Sequence, residues 1–503
     1  MKKGDIIEGV VVRYDYPGTG ILMAEGREVK IKGVLPGQTV RCRIKKANSS
    51  KCEAMLLEVI RHSEDENESC CPHFPECGGC QMQTLPYDRQ LAIKSEQVRR
   101  LLEDDLIDPE DGWFEGIYPS PDEEGYRNKM EFTFGDSYKG GPLVLGMHRK
   151  GSFYDIVDTE GCRIVDDDIR SVRTAVLGIA RETSYPYYHR LTHIGFYRHL
   201  LVRKARSSGQ ILVDLVTTTQ YESDAAMDEL DRKLVETLCS LKLRGTVSGI
   251  LHTYNDSVAD VIQSDRTELL YGTDRIEEKL LGLDFIITPF SFFQTNSGGA
   301  EVLYDTVRRY ISEEAPSVER GSAEEPSAQR PRADGPSAEI SSAKTMRAEG
   351  SMDDSPDGKV IFDLYSGTGT IAQILAPAAG HVTGVEIVGE AVEAARENAK
   401  RNKLANCGFI CGDVLKVIDS LDEKPDLIVL DPPRDGIHPK AMPKILKFGV
   451  DRIVYISCKA TSLKRDLVPL QMAGYRVERL SLTDLFPGTA HVECIALMTK
   501  ERG

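Results

Sequence analysis

Between Val360 and Met498 the sequence alternates short apolar strands with helical patterns, and this alternation constrains the fold more than any other feature. Strands are read at Val360 to Leu364, His381 to Glu386, Gly408 to Cys411, Asp426 to Leu430 and Arg452 to Ile456. Two more, Tyr475 to Leu482 and His491 to Met498, follow with only a short connection between them. Strands joined through helices run parallel, because the crossover returns each strand to the same end of the sheet. The final pair has no helix between its members and closes the sheet as a hairpin. The expected fold is therefore α/β, a doubly wound sheet with a C-terminal hairpin.

The rest of the 503 residues leaves room for two or three further units. Residues 1 to 60 show five short strands broken by Pro17-Gly18-Thr19-Gly20 and Pro36-Gly37, the pattern of a small closed barrel of the oligonucleotide-binding type. Arg41, Arg43, Lys45, Lys46 and Lys51 fall on its fourth strand and the loop after it. This barrel resembles a TRAM domain, which implies RNA binding. Residues 61 to 285 read as a mixed α/β domain with an amphipathic helix from Tyr87 to Leu102, on which Lys94, Arg99 and Arg100 are taken as polar positions. Residues 286 to 503 form the α/β domain. Inside it, 312 to 358 hold no aromatic residue and five prolines, and read as a disordered insertion with too little apolar surface to offset its ordering entropy.

The net charge of -16 argues against nucleic acid only if it is evenly spread, and it is not. Residues 1 to 62 carry 12 Lys and Arg against 7 Asp and Glu, while 312 to 358 carry 5 against 11. The chain shows no secretory signal pattern and no run near the ~18 apolar residues that would span a membrane. The expectation is a cytoplasmic monomer with no membrane association and no obligate protein partner.

The segment Phe362-Asp363-Leu364-Tyr365-Ser366-Gly367-Thr368-Gly369 is a buried strand running into a small-residue turn and a helix, where backbone can approach a ligand closely. Glu386 ends the second strand and is suited to accept from ribose hydroxyls. Asp413, after the third, is placed to accept from an adenine amine or to cap a helix. Asp431 ends the fourth. Three acids at successive strand ends would repel phosphates but suit a cationic, phosphate-free cofactor, S-adenosylmethionine. The architecture is that of class I S-adenosylmethionine-dependent methyltransferases.

Cys458 ends the fifth strand, 27 residues after Asp431 of Asp431-Pro432-Pro433-Arg434. A thiolate here could add to carbon 6 of a uracil and make carbon 5 nucleophilic toward a methyl group. The cations Lys459 and Arg465 and the amides of the next helix are expected to lower its pKa. Gln294-Thr295-Asn296, the Ser366 to Gly369 turn, Asp431 to Gly436, Ser457-Cys458-Lys459 and Phe486-Pro487 with His491-Val492-Glu493 together resemble the RNA (uracil-5-)-methyltransferases. The resemblance implies Gln294, Tyr365, Glu386 and Asp431 at the cofactor, Cys458 as nucleophile and Glu493 as the base that removes the carbon 5 proton. Lys459 stands where many relatives have Asn. The barrel with the cysteine segment resembles the branch acting on 23S ribosomal RNA, so ribosomal RNA is favoured over transfer RNA.

Cys71, Cys77 and Cys80 are spaced C-x5-C-x2-C, with Cys162 as a distant fourth and Cys70 competing with Cys71. Three close thiols plus one remote suit a cubane better than the paired spacing of zinc ribbons, though zinc stays open. The family resemblance implies a 4Fe-4S cluster. The other cysteines are read as core residues. Phe290, Phe292 and Phe293 are candidates to support a flipped base, or core. Two rival readings remain: an amine N-methyltransferase using Asp431-Pro432-Pro433 without Cys458, and an iron-sulfur RNA-binding or redox-sensing protein that has lost methyl transfer.

Overall fold

The computed structural model describes residues 1–48, 51–69, 71–107, 109, 111–183, 185–259, 264–312, 358–421 and 423–500. Cys70 and the segment 313–357, which is the insertion apart from its end positions, lie outside the described residues.

Five strands, Ile6–Asp15, Thr19–Ala24, Arg27–Lys32, Thr39–Ala47 and Cys52–Arg61, close into a barrel in the order first, second, third, fifth, fourth and back to the first. Alternation along the fourth strand turns Val40, Cys42 and Ile44 into the barrel core and Arg41, Arg43 and Lys45 outward. Arg41 spends its charge on Glu8 and Glu58, each at 2.6 Å, whereas Arg43 and Lys45 point to solvent.

The middle of the chain builds a seven-stranded sheet in the order Arg266–Gly272, Thr246–Tyr254, Gln210–Thr217, Tyr197–Lys204, Lys129–Asp136, Leu143–His148, Ile156–Asp158. Two helices, Asp167–Thr183 and Asp224–Ser240, carry apolar stripes that share its core.

The C-terminal sheet has eight strands, numbered here in chain order: β1 Phe114–Tyr118, β2 Val360–Leu364, β3 His381–Glu386, β4 Cys407–Cys411, β5 Leu427–Leu430, β6 Arg452–Ser457, β7 Tyr475–Thr483 and β8 Glu493–Lys500. Their order is β4-β3-β2-β5-β6-β8-β7-β1. The strands β4, β3, β2, β5 and β6 are parallel, and β8 runs antiparallel between β6 and β7. This is the class I methyltransferase sheet with its terminal hairpin. Both faces are covered: Ile361 and Val429 pack into one core, Phe362, Leu364 and Leu430 into the other. Each such buried side chain is worth about 1.5–3 kcal/mol over its exposed state.

Three findings differ from the sequence reading. β1, from within 61–285, pairs in parallel with β7, and the helix Tyr87–Glu103 contacts the helix Ala460–Met472. Lys94 is not a surface position: it is 1% exposed, with Nζ 2.8 Å from Asp484 and 3.1 Å from the Phe486 carbonyl. Cys239 and Cys411 are exposed rather than core. Among the described residues no helix is long and apolar enough to cross a membrane.

Candidate active site

The site collects at the end of the sheet where the parallel strands finish and β8 begins. Ser457 of β6 is paired with Cys494 of β8, so the next residues along, Cys458 and Glu493, face each other across the strand ends. Parallel register places Leu364, Val385 and Leu430 side by side, and Tyr365, Glu386 and Asp431 follow them. One cavity of about 1620 Å³ is lined by Gln294, Tyr365, Glu386, Asp413, Asp431, Cys458 and Glu493, and also by Cys71, Cys77, Cys80 and Cys162. Every candidate site residue read from the sequence therefore reaches the same space.

On the side formed by β2 and β3, the Glu386 carboxylate accepts from the Gly367 amide at 3.0 Å and from the Val388 amide at 2.9 Å. These bonds fix its orientation toward the cavity. Tyr365 and Gly367 both have positive φ, 69° and 54°, and a Cβ on Gly367 would meet no atom within 4 Å. The turn is thus bent away from ordinary geometry where its backbone borders open space, a conformation that costs a non-glycine residue about 1–2 kcal/mol. Asp413 divides its carboxylate: Oδ1 accepts from the Leu415 amide at 3.0 Å as a helix cap, while the residue still lines the cavity. Gln294 lines the cavity beside Tyr304. Asn296 instead caps the next helix through Gly299 and ties it to the Leu485 carbonyl.

The electrostatics around Cys458 differ from expectation. Its thiol is pushed up to about 11, by burial first and then by the charges of Glu493 and Asp431. The cation that opposes this is Arg434, which lines the same cavity. Arg465 is engaged with Asp466 at 2.7 Å, and Lys459 reaches Asp435 at 4.0 Å. The loop that carries Arg434 is held by the helix Ala460–Met472, since Ser462 donates to the Arg434 carbonyl at 2.6 Å and Asp466 accepts from the Ile437 amide at 2.7 Å. Burial pushes Glu493 up to about 8, Asp431 adding to the rise and Arg434 opposing it. Burial alone pushes Asp431 up to about 7. Asp431 lies deep in the molecule yet on the cavity wall, where part of its surface stays accessible.

Two contributions were not read from the sequence, and the first comes from outside the α/β domain. Tyr16, at the end of the first barrel strand, accepts at its hydroxyl from the Ala460 amide at 3.2 Å, filling the first orphan donor of the helix that follows Cys458. Tyr304 sits 5% exposed on the cavity wall beside the site acids, which with burial hold its phenol well above its usual range. The first depends on a barrel contact 444 residues away in sequence, and no local pattern signals it. Of the three phenylalanines, Phe293 packs into the core, whereas Phe290 and Phe292 are exposed at the cavity.

Cys71, Cys77, Cys80 and Cys162 converge from a loop and the central domain. Burial pushes Cys80 up to about 12 and Cys162 to about 11, and each is further raised by neighbouring cysteines. The Gly79 amide donates to the Cys77 sulfur at 3.4 Å. Among the described residues no three His, Cys, Asp or Glu side chains are grouped closely enough for a single metal ion.

Residues 336–501 match the family model described as tRNA (Uracil-5-)-methyltransferase. The chain is 40% identical over 501 residues to an uncharacterized RNA methyltransferase of Clostridium acetobutylicum, covering 100% of this chain and 99% of that protein. It is 43% identical over 495 residues to another of Clostridium tetani, covering 98% of each. Among solved structures, the tRNA (uracil-54, C5)-methyltransferase of Pyrococcus abyssi, in complex with S-adenosyl-L-homocysteine, aligns with a TM-score of 0.69 at 23% identity, over 98% of this chain and 100% of that one. That last likeness is one of fold.

Proposed function

The chain belongs to the RNA methyltransferases, and from that premise we propose that it methylates carbon 5 of a uridine in RNA, with S-adenosylmethionine as donor and Cys458 as covalent catalyst. The observation that carries this reading is the strand register that sets Cys458 beside Glu493, with Arg434 as the cation that opposes the carboxylates at the thiol. An amine methyltransferase would need none of these three.

The Cys458 thiolate adds to carbon 6 of the uracil, and the ring electrons pass to the carbon 4 oxygen as an enolate. Carbon 5 then attacks the donor methyl, releasing S-adenosylhomocysteine. Glu493 takes the proton from carbon 5, the double bond re-forms, and the thiolate leaves. A group poised near 8 titrates close to working pH, which suits a base of this kind. The sulfonium charge of the donor, bound near Asp431, offsets the carboxylate field that raises Cys458. Thiol activation is thereby coupled to cofactor binding. Glu386 orients the ribose, Asp413 offers its remaining oxygen to the adenine amine, and Gln294 and Tyr365 complete the cofactor wall. Phe290 and Phe292 are placed to support the target base once it has left its stack.

Ribosomal RNA in the cytoplasm is our first choice of substrate, on the combination of barrel and cysteine segment. Transfer RNA is the second reading, favoured by the description of the matching family model. On the spacing of Cys71, Cys77, Cys80 and Cys162 we propose a 4Fe-4S cluster, which would supply structural cross-linking of the loop and central domain rather than electrons, since methyl transfer is redox-neutral.

The test is to incubate the protein with S-adenosylmethionine and ribosomal or transfer RNA carrying 5-fluorouridine, which has no carbon 5 proton to surrender. A denaturation-resistant protein–RNA adduct is expected, lost in Cys458→Ala, and its position identifies the nucleotide. Methylation of ordinary RNA by Cys458→Ala would overturn the mechanism.

A further inference from the structure

A second cavity, of about 380 Å³, opens on the central domain and is lined by Phe153, Tyr154, Tyr187, Leu191, Arg190 and Arg198 among others. That volume falls at the lower end of the range of about 300–1,000 Å³ usual for small-ligand sites. Its rim is unusually apolar for a surface in water: Phe153 is 77% exposed, Tyr154 56% and Leu191 68%. Its floor is cationic. Arg198 is 2% exposed and donates to the carbonyls of Asn255, Ser257 and Ala259 at 2.6 to 2.8 Å, with its guanidinium 4.2 Å over the Tyr188 ring. Its Nε has no hydrogen-bond partner among the described residues. Arg190 and Lys139 add positive charge, and of the two lining acids, Asp136 already accepts from the Gly140 amide at 2.8 Å.

The cleft lies across one strand of the central sheet from the catalytic cavity. The strand Leu143–His148 separates the two cavities, Met147 lining the first and His148 the second. The hairpin after that strand is stitched to the cysteine loop: Gly78 donates to the His148 carbonyl at 2.9 Å, Lys150 to the Glu76 carbonyl at 2.8 Å, and Cys77 bridges to Arg149. On its other side Lys150 lies against Gly33 of the barrel. The hairpin that carries Phe153 and Tyr154 thus touches both the cysteine loop and the barrel.

We propose that this cleft holds an unpaired nucleobase of the substrate RNA, outside the target nucleotide, stacked on Phe153 and Tyr154 with its carbonyl edge or phosphate toward Arg198 and Arg190. Exposed aromatic faces interleaved with arginines on a protein of net charge -16 match single-stranded nucleic acid in both shape and sign. The inference rests on RNA being the substrate.

The test measures binding of a fluorescently labelled single-stranded oligouridine and of a fully paired RNA duplex of equal length to the full-length protein. Phe153→Ala combined with Tyr154→Ala is expected to weaken single-strand binding by about tenfold. Phe153→Trp retains it, and S-adenosylmethionine affinity and melting temperature stay unchanged because both side chains are exposed. With 5-iodouridine in the oligonucleotide, irradiation is expected to cross-link residues 153–154. Native affinity in the double variant, or equal loss of duplex binding, overturns the nucleobase cleft while leaving uridine methylation standing. If the unaltered protein binds neither RNA, the cleft and the proposed function fall together.

Discussion

Two carboxyls acting on Cys458, Glu493 and Asp431, set how the site responds to pH. Both are raised by burial, to about 8 and about 7, so the folded chain holds these protons more tightly than the unfolded chain does. Their contribution to stability is therefore full at acid pH and is lost as pH climbs from the ordinary carboxylate range through 8. Without cofactor, the melting temperature is expected to fall between pH 6 and 9, and Glu493→Gln should flatten that fall; parallel curves for the two proteins would refute the assignment. Catalysis runs the other way, since Glu493 must be ionised, so Glu493→Gln with unmodified RNA should accumulate a methylated adduct visible on a denaturing gel. Arg434→Met removes the cation that opposes the rise of Cys458 and should move the ascending limb of kcat/KM to higher pH, with Arg434→Lys recovering part of the shift. The sequence made Cys458 legible because a thiol after a buried strand is rare. It showed Arg434 only as the residue after Asp431-Pro432-Pro433, because the placement of its loop is set by Asp466 and Ser462 on another element.

At the scale of elements, strand positions were readable from apolar runs, and β2, β3 and β6 agree with them to within a residue. The helix Tyr87–Glu103 was readable too, but its buried face was not. Periodicity counts Lys94 as polar, while the structure buries it against Asp484, a partner 390 residues away in sequence. Lys94→Met is expected to cost about 3–5 kcal/mol in denaturant unfolding, because it strands a buried carboxylate. Lys94→Met with Asp484→Leu should recover most of that loss, and failure to recover would mean that Lys94 acts mainly through the Phe486 carbonyl. Tyr16 ties the barrel to the helix carrying the Cys458 end in the same long-range manner. Tyr16→Phe deletes one hydrogen bond, worth about 1 kcal/mol. It is expected to lower kcat more than it raises KM for RNA, as the Ala460 amide loses its acceptor beside the nucleophile.

Across the whole molecule, the division at 61 and 285 follows composition and misses how the sheets are shared. Strand order cannot be read from local pattern, and β1 reaches the far edge of the C-terminal sheet from a position before the central sheet begins. The hairpin Ile276–Leu280 with Leu283–Ile287 likewise places Ile276, Leu280, Phe285 and Ile287 in one core with Leu303 and Tyr304. A fragment spanning 61–285 would expose the Val98 and Leu102 face of its first helix, leave β1 unpaired and cut the hairpin inside its second strand. Those surfaces total several fully buried side chains, each worth about 1.5–3 kcal/mol, against a typical domain stability of about 5–15 kcal/mol. The fragment is therefore expected to be insoluble or to unfold without a cooperative transition, whereas co-expression with 286–503 should return both pieces as one soluble complex. A sharp thermal transition from 61–285 alone would show that the central sheet stabilises itself and that the shared strand and hairpin are dispensable to it.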